Sequence, residues 1–168
     1  MTLAPNLRKL ALTAHIIASV GWLGAIAAFV ALAIAGVASR EPERVRAAYL
    51  ALGLVYDWVV VPFGIASALS GLASSLGTDW GLVRHYWVLV KVLMTVPLTL
   101  LLLLHTQPVD QLAAAAAAQM LSATEALGLR TQLLGYSIAA ILALIVATAL
   151  SIYKPRGRTP FGQRRPSE

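Results

Sequence analysis

The chain has 168 residues, of which 59% are hydrophobic and only 12% charged, and its mean hydropathy is +0.78. A soluble domain carries about twice that charged fraction, and the apolar residues here come in long blocks, so composition predicts membrane-spanning segments rather than a large soluble core. The absence of cysteine excludes disulfides, thiol chemistry and thiolate metal sites. The net charge of +6 comes largely from basic residues beside the apolar blocks, which favours a membrane surface over nucleic acid as the partner.

Four apolar segments predict four transmembrane helices, because each is long enough to cross about 30 Å of hydrocarbon at about 1.5 Å per residue. The segments cover residues 10–37, 47–76, 86–107 and 133–153. None of them shows the alternation of a membrane β-strand. The predicted fold class is therefore all-α, an integral membrane four-helix bundle within residues 1–154.

The connections and the C-terminal residues carry further predictions. Six consecutive alanines, Ala113–Ala118, predict an extra Ala-rich helix over residues 109–126, lying on the membrane or extending into the fourth segment. Residues 155–168 are rich in arginine, proline and glycine and predict a disordered basic tail. Pro62 and Pro97 lie inside spans and predict kinks.

The distribution of lysine and arginine predicts the orientation in a plasma membrane. Eight basic residues flank the segment ends on the side of both termini, and four flank the opposite ends, so both termini are expected in the cytoplasm. The larger group is Arg8, Lys9, Arg84, Lys154, Arg156, Arg158, Arg164 and Arg165, and the smaller is Arg40, Arg44, Arg46 and Arg130.

Ionisable residues inside the spans are the candidates for a functional site, because such groups are costly in lipid. By depth, His15 and Lys91 fall in the cytoplasmic half and could share one site, whereas Asp57 and His105 fall in the outer half and could share a second, polar site. His15 and His105 are about 25 Å apart along the membrane normal, so they cannot both ligate one haem.

Each candidate also has a purely structural interpretation. Lys91 could extend to the interface, His15 could simply bond a neighbour such as Ser19, and His105 could be interfacial. A short acid such as Asp57 must be protonated or paired, and Lys91, His105 and Tyr136 are the possible partners. Its helix also carries small residues predicted on the same face as Asp57, namely Gly53, Gly64, Ala68, Gly71 and Ser75.

Two spacings resemble a known group of membrane proteins. The first segment reads Lys9-x5-His15-x6-Trp22-x-Gly24 and the third reads Trp87-x3-Lys91-x13-His105. This is similar to HemJ-type protoporphyrinogen oxidases and CopD-type membrane domains, and the resemblance implies that His15 ligates haem b and that Lys91 is essential. The aromatic, basic stretch that follows the first-helix tryptophan in HemJ-type proteins is replaced here by AIAAFVALAIAG. The stretches GWLGA, RHYWVLVK and HTQPV also resemble an uncharacterised family of actinobacterial four-helix membrane proteins.

These observations support two hypotheses from different classes. In the first, the bundle binds haem or a related tetrapyrrole in its cytoplasmic half. His15 is then the axial ligand with Ser19 beside it, Trp22 packs on the macrocycle, and Lys91 pairs with a propionate or a substrate carboxylate. If such a protein is an enzyme, the expected activity is oxidoreduction, with Lys91 as the catalytic residue and electrons passing toward a quinone or another membrane redox partner.

In the second hypothesis the bundle holds no cofactor. It is then an accessory or structural subunit, or a small ion- or proton-conducting protein in which Asp57 and His105 form a polar network or path. Both hypotheses have the lipid bilayer as a partner, and homo-oligomerisation is open in both.

Overall fold

The structure, a computed structural model, describes residues 4–77, 82–104, 106–118, 125–155, 157, 159 and 160. Within those residues the regular structure is helical, as predicted. The elements are α1 (Pro5–Ala38), α2 (Pro42–Val55), a π-helical turn (Tyr56–Val60), α3 (Val61–Leu76), α4 (Tyr86–Leu104), α5 (Gln107–Ala117) and α6 (Glu125–Tyr153). The predicted helical bundle is confirmed in this form.

Four stretches of helix are long and apolar enough to cross a membrane, which suggests a multi-pass membrane protein. They are Pro5–Ala38, Pro42–Leu76, Tyr86–Ala117 and Leu127–Tyr153. Large apolar side chains are exposed mostly on the first half of α1, on α3 and α4, and on the second half of α6. An exposed apolar surface of that extent suits contact with lipid better than contact with water.

The bundle has two halves with different packing. The terminal half, named for the chain termini it carries, consists of the first half of α1, α3, α4 and the second half of α6. The distal half consists of the second half of α1, α2, α5 and the first half of α6. Fully buried side chains concentrate in the distal half, where Tyr49, Leu52 and Leu112 have at most 1% of their surface exposed. The terminal half is packed more loosely, and this leaves room for a cavity.

The Ala-rich helix α5 corrects part of one prediction, because it ends at Ala117 and does not continue into the fourth segment. It packs along α2 and contacts α6. The Gly53 backbone on α2 approaches the Ala113 side chain so closely that a Cβ at Gly53 would lie 3.1 Å from it, and Arg46 Nε donates a hydrogen bond of 3.0 Å to the Ala116 carbonyl. Alanine allows this approach because its side chain is small. Residues 119–124 of the predicted helix lie outside the described residues.

The π-helical turn corrects a second prediction, the face on which Asp57 lies. In an uninterrupted α-helix Asp57 and Gly64 would share a face, since they are seven residues apart. A π turn holds about one residue more than an α turn, so it rotates the following face by about 100°. Gly64 is consequently buried while the Asp57 side chain is exposed. The turn lies just before Pro62, which lacks an N–H and whose ring would crowd the carbonyl four residues earlier.

The C-terminal residues that the structure describes are placed against the loop before α4. Lys154 ends α6 with a positive φ of 41°. Tyr86 N–H then donates to the Gly157 carbonyl at 3.4 Å, and Thr159 N–H donates to the Arg84 carbonyl at 3.0 Å. Thr159 is buried. The disorder of residues 155–168 stays a prediction, since residues 156, 158 and 161–168 lie outside the described part.

Candidate ligand-binding cavity

The terminal half contains a cavity of about 720 Å³ enclosed by α1, α3, α4 and α6. His15, Ser19 and Lys91 all line it. A volume of this size falls in the range of about 300–1,000 Å³ that is usual for sites of small molecules and cofactors. The structure thus brings together three of the residues singled out from the sequence, on helices that lie on opposite sides of the cavity.

His15 is held against α3 by a short chain of hydroxyl groups. Its Nδ1 lies 3.3 Å from Ser70 Oγ and 3.4 Å from Ser19 Oγ, and Ser19 Oγ lies 3.0 Å from Ser67 Oγ. The imidazole can lie this close because residue 71 is glycine: a Cβ there would be 2.9 Å from His15 Cε1. Ring position and orientation are therefore set by α1 and α3 together.

The hydrogen bonds of Ser70 favour one tautomer of His15. Ser70 Oγ donates to the Ala66 carbonyl at 2.5 Å, so toward His15 it is placed to accept. In the tautomer that suits this contact, Nδ1 carries the proton and the neutral ring has its lone pair on Nε2. Metal-ligating histidines commonly use this arrangement, with one nitrogen donating a hydrogen bond and the other free to coordinate.

Lys91 lies on the other side of the cavity. Its Nζ donates a hydrogen bond of 2.6 Å to Ser151 Oγ on α6 and lies 5.8 Å from the centroid of the Trp87 ring, which is within the range of a cation–π contact. Ser151 in turn donates to the Ala147 carbonyl at 2.9 Å. These partners are all neutral, so they orient the ammonium group without balancing its charge.

The lining of the cavity is cationic. Arg8 and Lys154 line it in addition to His15 and Lys91, and no aspartate or glutamate is among the described residues that line it. The single ion pair among the described residues, Arg44–Glu41, is on the exposed surface at the start of α2. An anionic group inside this cavity would therefore be attracted by several charges of the same sign.

Trp22 does not lie where the haem hypothesis placed it, and this is a correction. It lines a separate, smaller cavity of about 70 Å³ together with Tyr56 and Ser137, and it is absent from the lining of the large one. The indole is 1% exposed and packs against Gly64, where a Cβ would lie 3.1 Å from Trp22 Cε2. Its Nε1 has no hydrogen-bond partner among the described residues. Trp22 is thus a core residue, although it lies less than one helical turn from Ser19.

The second predicted site, formed by Asp57 and His105, is not assembled from described residues. The Asp57 carboxylate is exposed on the outside of the bundle and forms no ion pair with any described residue, Lys91 included. His105 lies outside the described residues.

The sequence interpretation missed the serines that orient the polar side chains of the cavity, of which Ser67 and Ser151 line it themselves. Ser67 and Ser70 hold His15 and Ser19, and Ser151 holds Lys91. A signal existed on α3, where Ser67, Ser70 and Ser74 recur at helical spacing inside an apolar segment. Nothing in the sequence separates Ser151 from Ser137 and Thr148 of the same span, and only the packing of α6 against α4 shows its partner.

Comparisons with protein-family models, with characterised proteins and with solved structures find no match for this chain. The cavity must therefore be interpreted from its own geometry. Among the residues that the structure describes, no three histidine, aspartate or glutamate side chains come together as ligands for a metal ion. Any metal held here would have to bring most of its ligands with it, as the iron of a haem does.

Proposed function

We propose that this chain is a multi-pass plasma-membrane protein, with both termini in the cytoplasm, that binds haem or a related tetrapyrrole in the cavity between α1, α3, α4 and α6. The observation that carries the proposal is the geometry of His15. Its Nδ1 lies within hydrogen-bond distance of Ser70 on α3, which favours the tautomer with the lone pair on Nε2, and the ring lines a cavity of about 720 Å³.

The other lining residues fit such a ligand. Apolar side chains of α1 and α4, among them Leu23, Val92 and Val96, provide surface for a flat hydrophobic ring. Lys91, directed by Ser151, offers an ammonium group to a propionate or to the carboxylate of a substrate. Ser19 keeps the imidazole in place through His15 Nδ1. Trp22 is left out of this set because it lines another cavity.

A bound haem would supply one-electron chemistry, which would make the protein an electron-transfer component or an oxidoreductase. The chain's own contribution is to fix the axial nitrogen, to hold the acidic groups of the ligand and to exclude water with apolar side chains. Lys91 is a charged group on the cavity wall that is placed to hold or deliver a proton. Its role as a catalytic residue depends on a substrate binding there.

The proposal is tested by titrating the purified protein with hemin and recording the absorption spectrum. The wild-type protein should give a shifted Soret band at a stoichiometry of one, and His15→Ala should lose it. His85→Ala is the matched control, since His85 does not line the cavity, and it should bind hemin like the wild type.

Absence of a shifted Soret band in the wild type, or an unchanged band in His15→Ala, would refute the proposal. A cofactor-free accessory subunit or a small ion-conducting protein would then be the better hypothesis. The exposed position of Asp57 gives no support to the second of these, because a carboxylate outside the bundle does not line an internal path.

A further inference from the structure

The cavity described above opens sideways, between α1 and α6. Its lining residues on α3 and α4 are all buried or half-buried, whereas exposed lining residues occur only on α1 and α6. On α1 these are Leu12, Ile16 and Val20, which are 52%, 53% and 65% exposed, and on α6 Ile152 is 72% exposed. Farther from the chain termini the two helices pack against each other, and there Phe29 of α1 and Leu133 of α6 belong to one buried cluster and line the small cavity. The exposed lining residues therefore mark a gap between α1 and α6 on the side of the chain termini.

The rim of this gap has two chemically different parts. Leu12, Ile16 and Val20 repeat every four residues and form an apolar track about 12 Å long. At its terminal end lie Arg8 on α1 and Lys154 at the end of α6, and Lys91 lies inside. The apolar track matches the acyl chain of a lipid, and the basic residues at its terminal end match the headgroup. The two parts follow each other along the helix axis, as chain and headgroup do along the membrane normal.

The charge of Lys91 gives the second, independent argument. Lys91 is half-buried, and its ammonium group contacts a hydroxyl and an aromatic ring. No described carboxylate lines the same cavity. A charge in such a setting is costly unless a counter-charge is close. A ligand from the bilayer can supply that counter-charge, and the cytoplasmic leaflet is the one rich in anionic lipid.

We propose that the cavity is a binding site for an acidic phospholipid of the leaflet on the side of the chain termini. One acyl chain enters between α1 and α6 along the Leu12–Val20 track. The headgroup phosphate meets Arg8 and Lys154 at the rim and accepts a hydrogen bond from Lys91. This site does not depend on tetrapyrrole binding. If both ligands bind, they compete for the same space, and the lipid occupies the cavity when no tetrapyrrole is present.

The test uses the full chain, delipidated in detergent and incubated with phosphatidylglycerol or with phosphatidylcholine of the same acyl chains. Native mass spectrometry then counts the lipids that stay bound. The wild type should retain one phosphatidylglycerol that phosphatidylcholine does not replace, and inorganic phosphate at equal concentration should not displace it. Lys91→Met should weaken this retention roughly tenfold or more, since a charge-assisted hydrogen bond is lost.

Two further variants keep the test decisive. Lys9→Gln is the matched control, because Lys9 is exposed beside Arg8 but does not line the cavity, and it should retain the lipid. Ile16→Trp fills the gap from an exposed position without touching any charge, and it should exclude the acyl chain while the protein stays folded. His15→Ala should lose hemin but keep the lipid, which separates failure of one proposal from failure of the other. Equal retention of the two lipids by the wild type, or unchanged retention in Lys91→Met and Ile16→Trp, would overturn the lipid site.

Discussion

The distal half of the bundle depends on the absence of a side chain at Gly36 of α1. A Cβ at this position would lie 2.6 Å from Tyr49 Cζ and 2.8 Å from both Cε2 and the hydroxyl oxygen. Carbon atoms do not approach this closely, and the Tyr49 ring cannot move aside easily because it is 0% exposed. We therefore expect Gly36→Ala to force α1 and α2 apart.

The loss of stability in Gly36→Ala can be judged against Gly24→Ala on the same helix, because a Cβ added at Gly24 would meet no atom within 4 Å. Both substitutions gain the same helix propensity, up to about 1 kcal/mol. Only Gly36→Ala also incurs overpacking, which costs about 1–3 kcal/mol. The two variants should thus differ by that amount, or by roughly 2–12 °C in melting temperature for a chain of this size.

Thermal unfolding of both variants in one detergent, followed by circular dichroism, measures the difference. Gly24→Ala should melt at or above the wild-type temperature and Gly36→Ala below that of Gly24→Ala. Equal melting temperatures would refute the reasoning, because they would show that Tyr49 does not pack against Gly36 as described. A Tyr49→Phe background should leave most of the cost in place, since the ring atoms cause two of the three contacts.

Three other predictions follow from the same structure. In this cysteine-free chain, the proposed cytoplasmic position of both termini predicts that Gln111→Cys, exposed on α5, reacts in whole cells with a membrane-impermeant maleimide and that Leu93→Cys on α4 does not. Equal labelling of the two would contradict that orientation. Thr159→Val removes a hydroxyl hydrogen bond to the loop before α4, worth about 1 kcal/mol. Trypsin should therefore cleave the C-terminal residues faster in this variant, and an unchanged cleavage rate would count against the contact. Without ligand, Lys91→Met should leave the melting temperature unchanged or raise it, because it removes a half-buried charge. Ser151→Ala should lower the melting temperature, because it removes the hydrogen bond of Lys91. The reverse order would show that the charge of Lys91 already has a counter-charge.

The two polar residues that sequence spacing placed in one half of the bundle, His15 and Lys91, do line one cavity. Depth along a helix could predict this, because rise per residue is constant and both residues lie near the same chain end of their helices. The partners that orient them could not be predicted in the same way. Ser70 and Ser151 belong to helices distant in sequence, and which helix face meets which neighbour depends on packing of the whole bundle.

Asp57 shows where helical periodicity fails. Its spacing from Gly64 predicts a shared face, but the π-helical turn between them rotates that face away. A local change in helix winding has no clear sequence signal here beyond the nearby Pro62. The prediction for Trp22 is wrong for another reason. Trp22 follows Ser19 by three residues and lies on approximately the same helix face. The rise along the helix nevertheless places it past the end of the large cavity, in the packed core.

By itself, the sequence determined the helical architecture of this protein, its suitability for a membrane and the few ionisable residues worth attention. These follow from composition, segment length and the cost of polar groups in lipid, which are properties of single helices. Only the tertiary structure decided that α5 packs along α2, that Asp57 is exposed, and that α1, α3, α4 and α6 surround a cationic cavity. These features arise between helices, because close approach depends on where glycine and alanine of one helix meet large side chains of another.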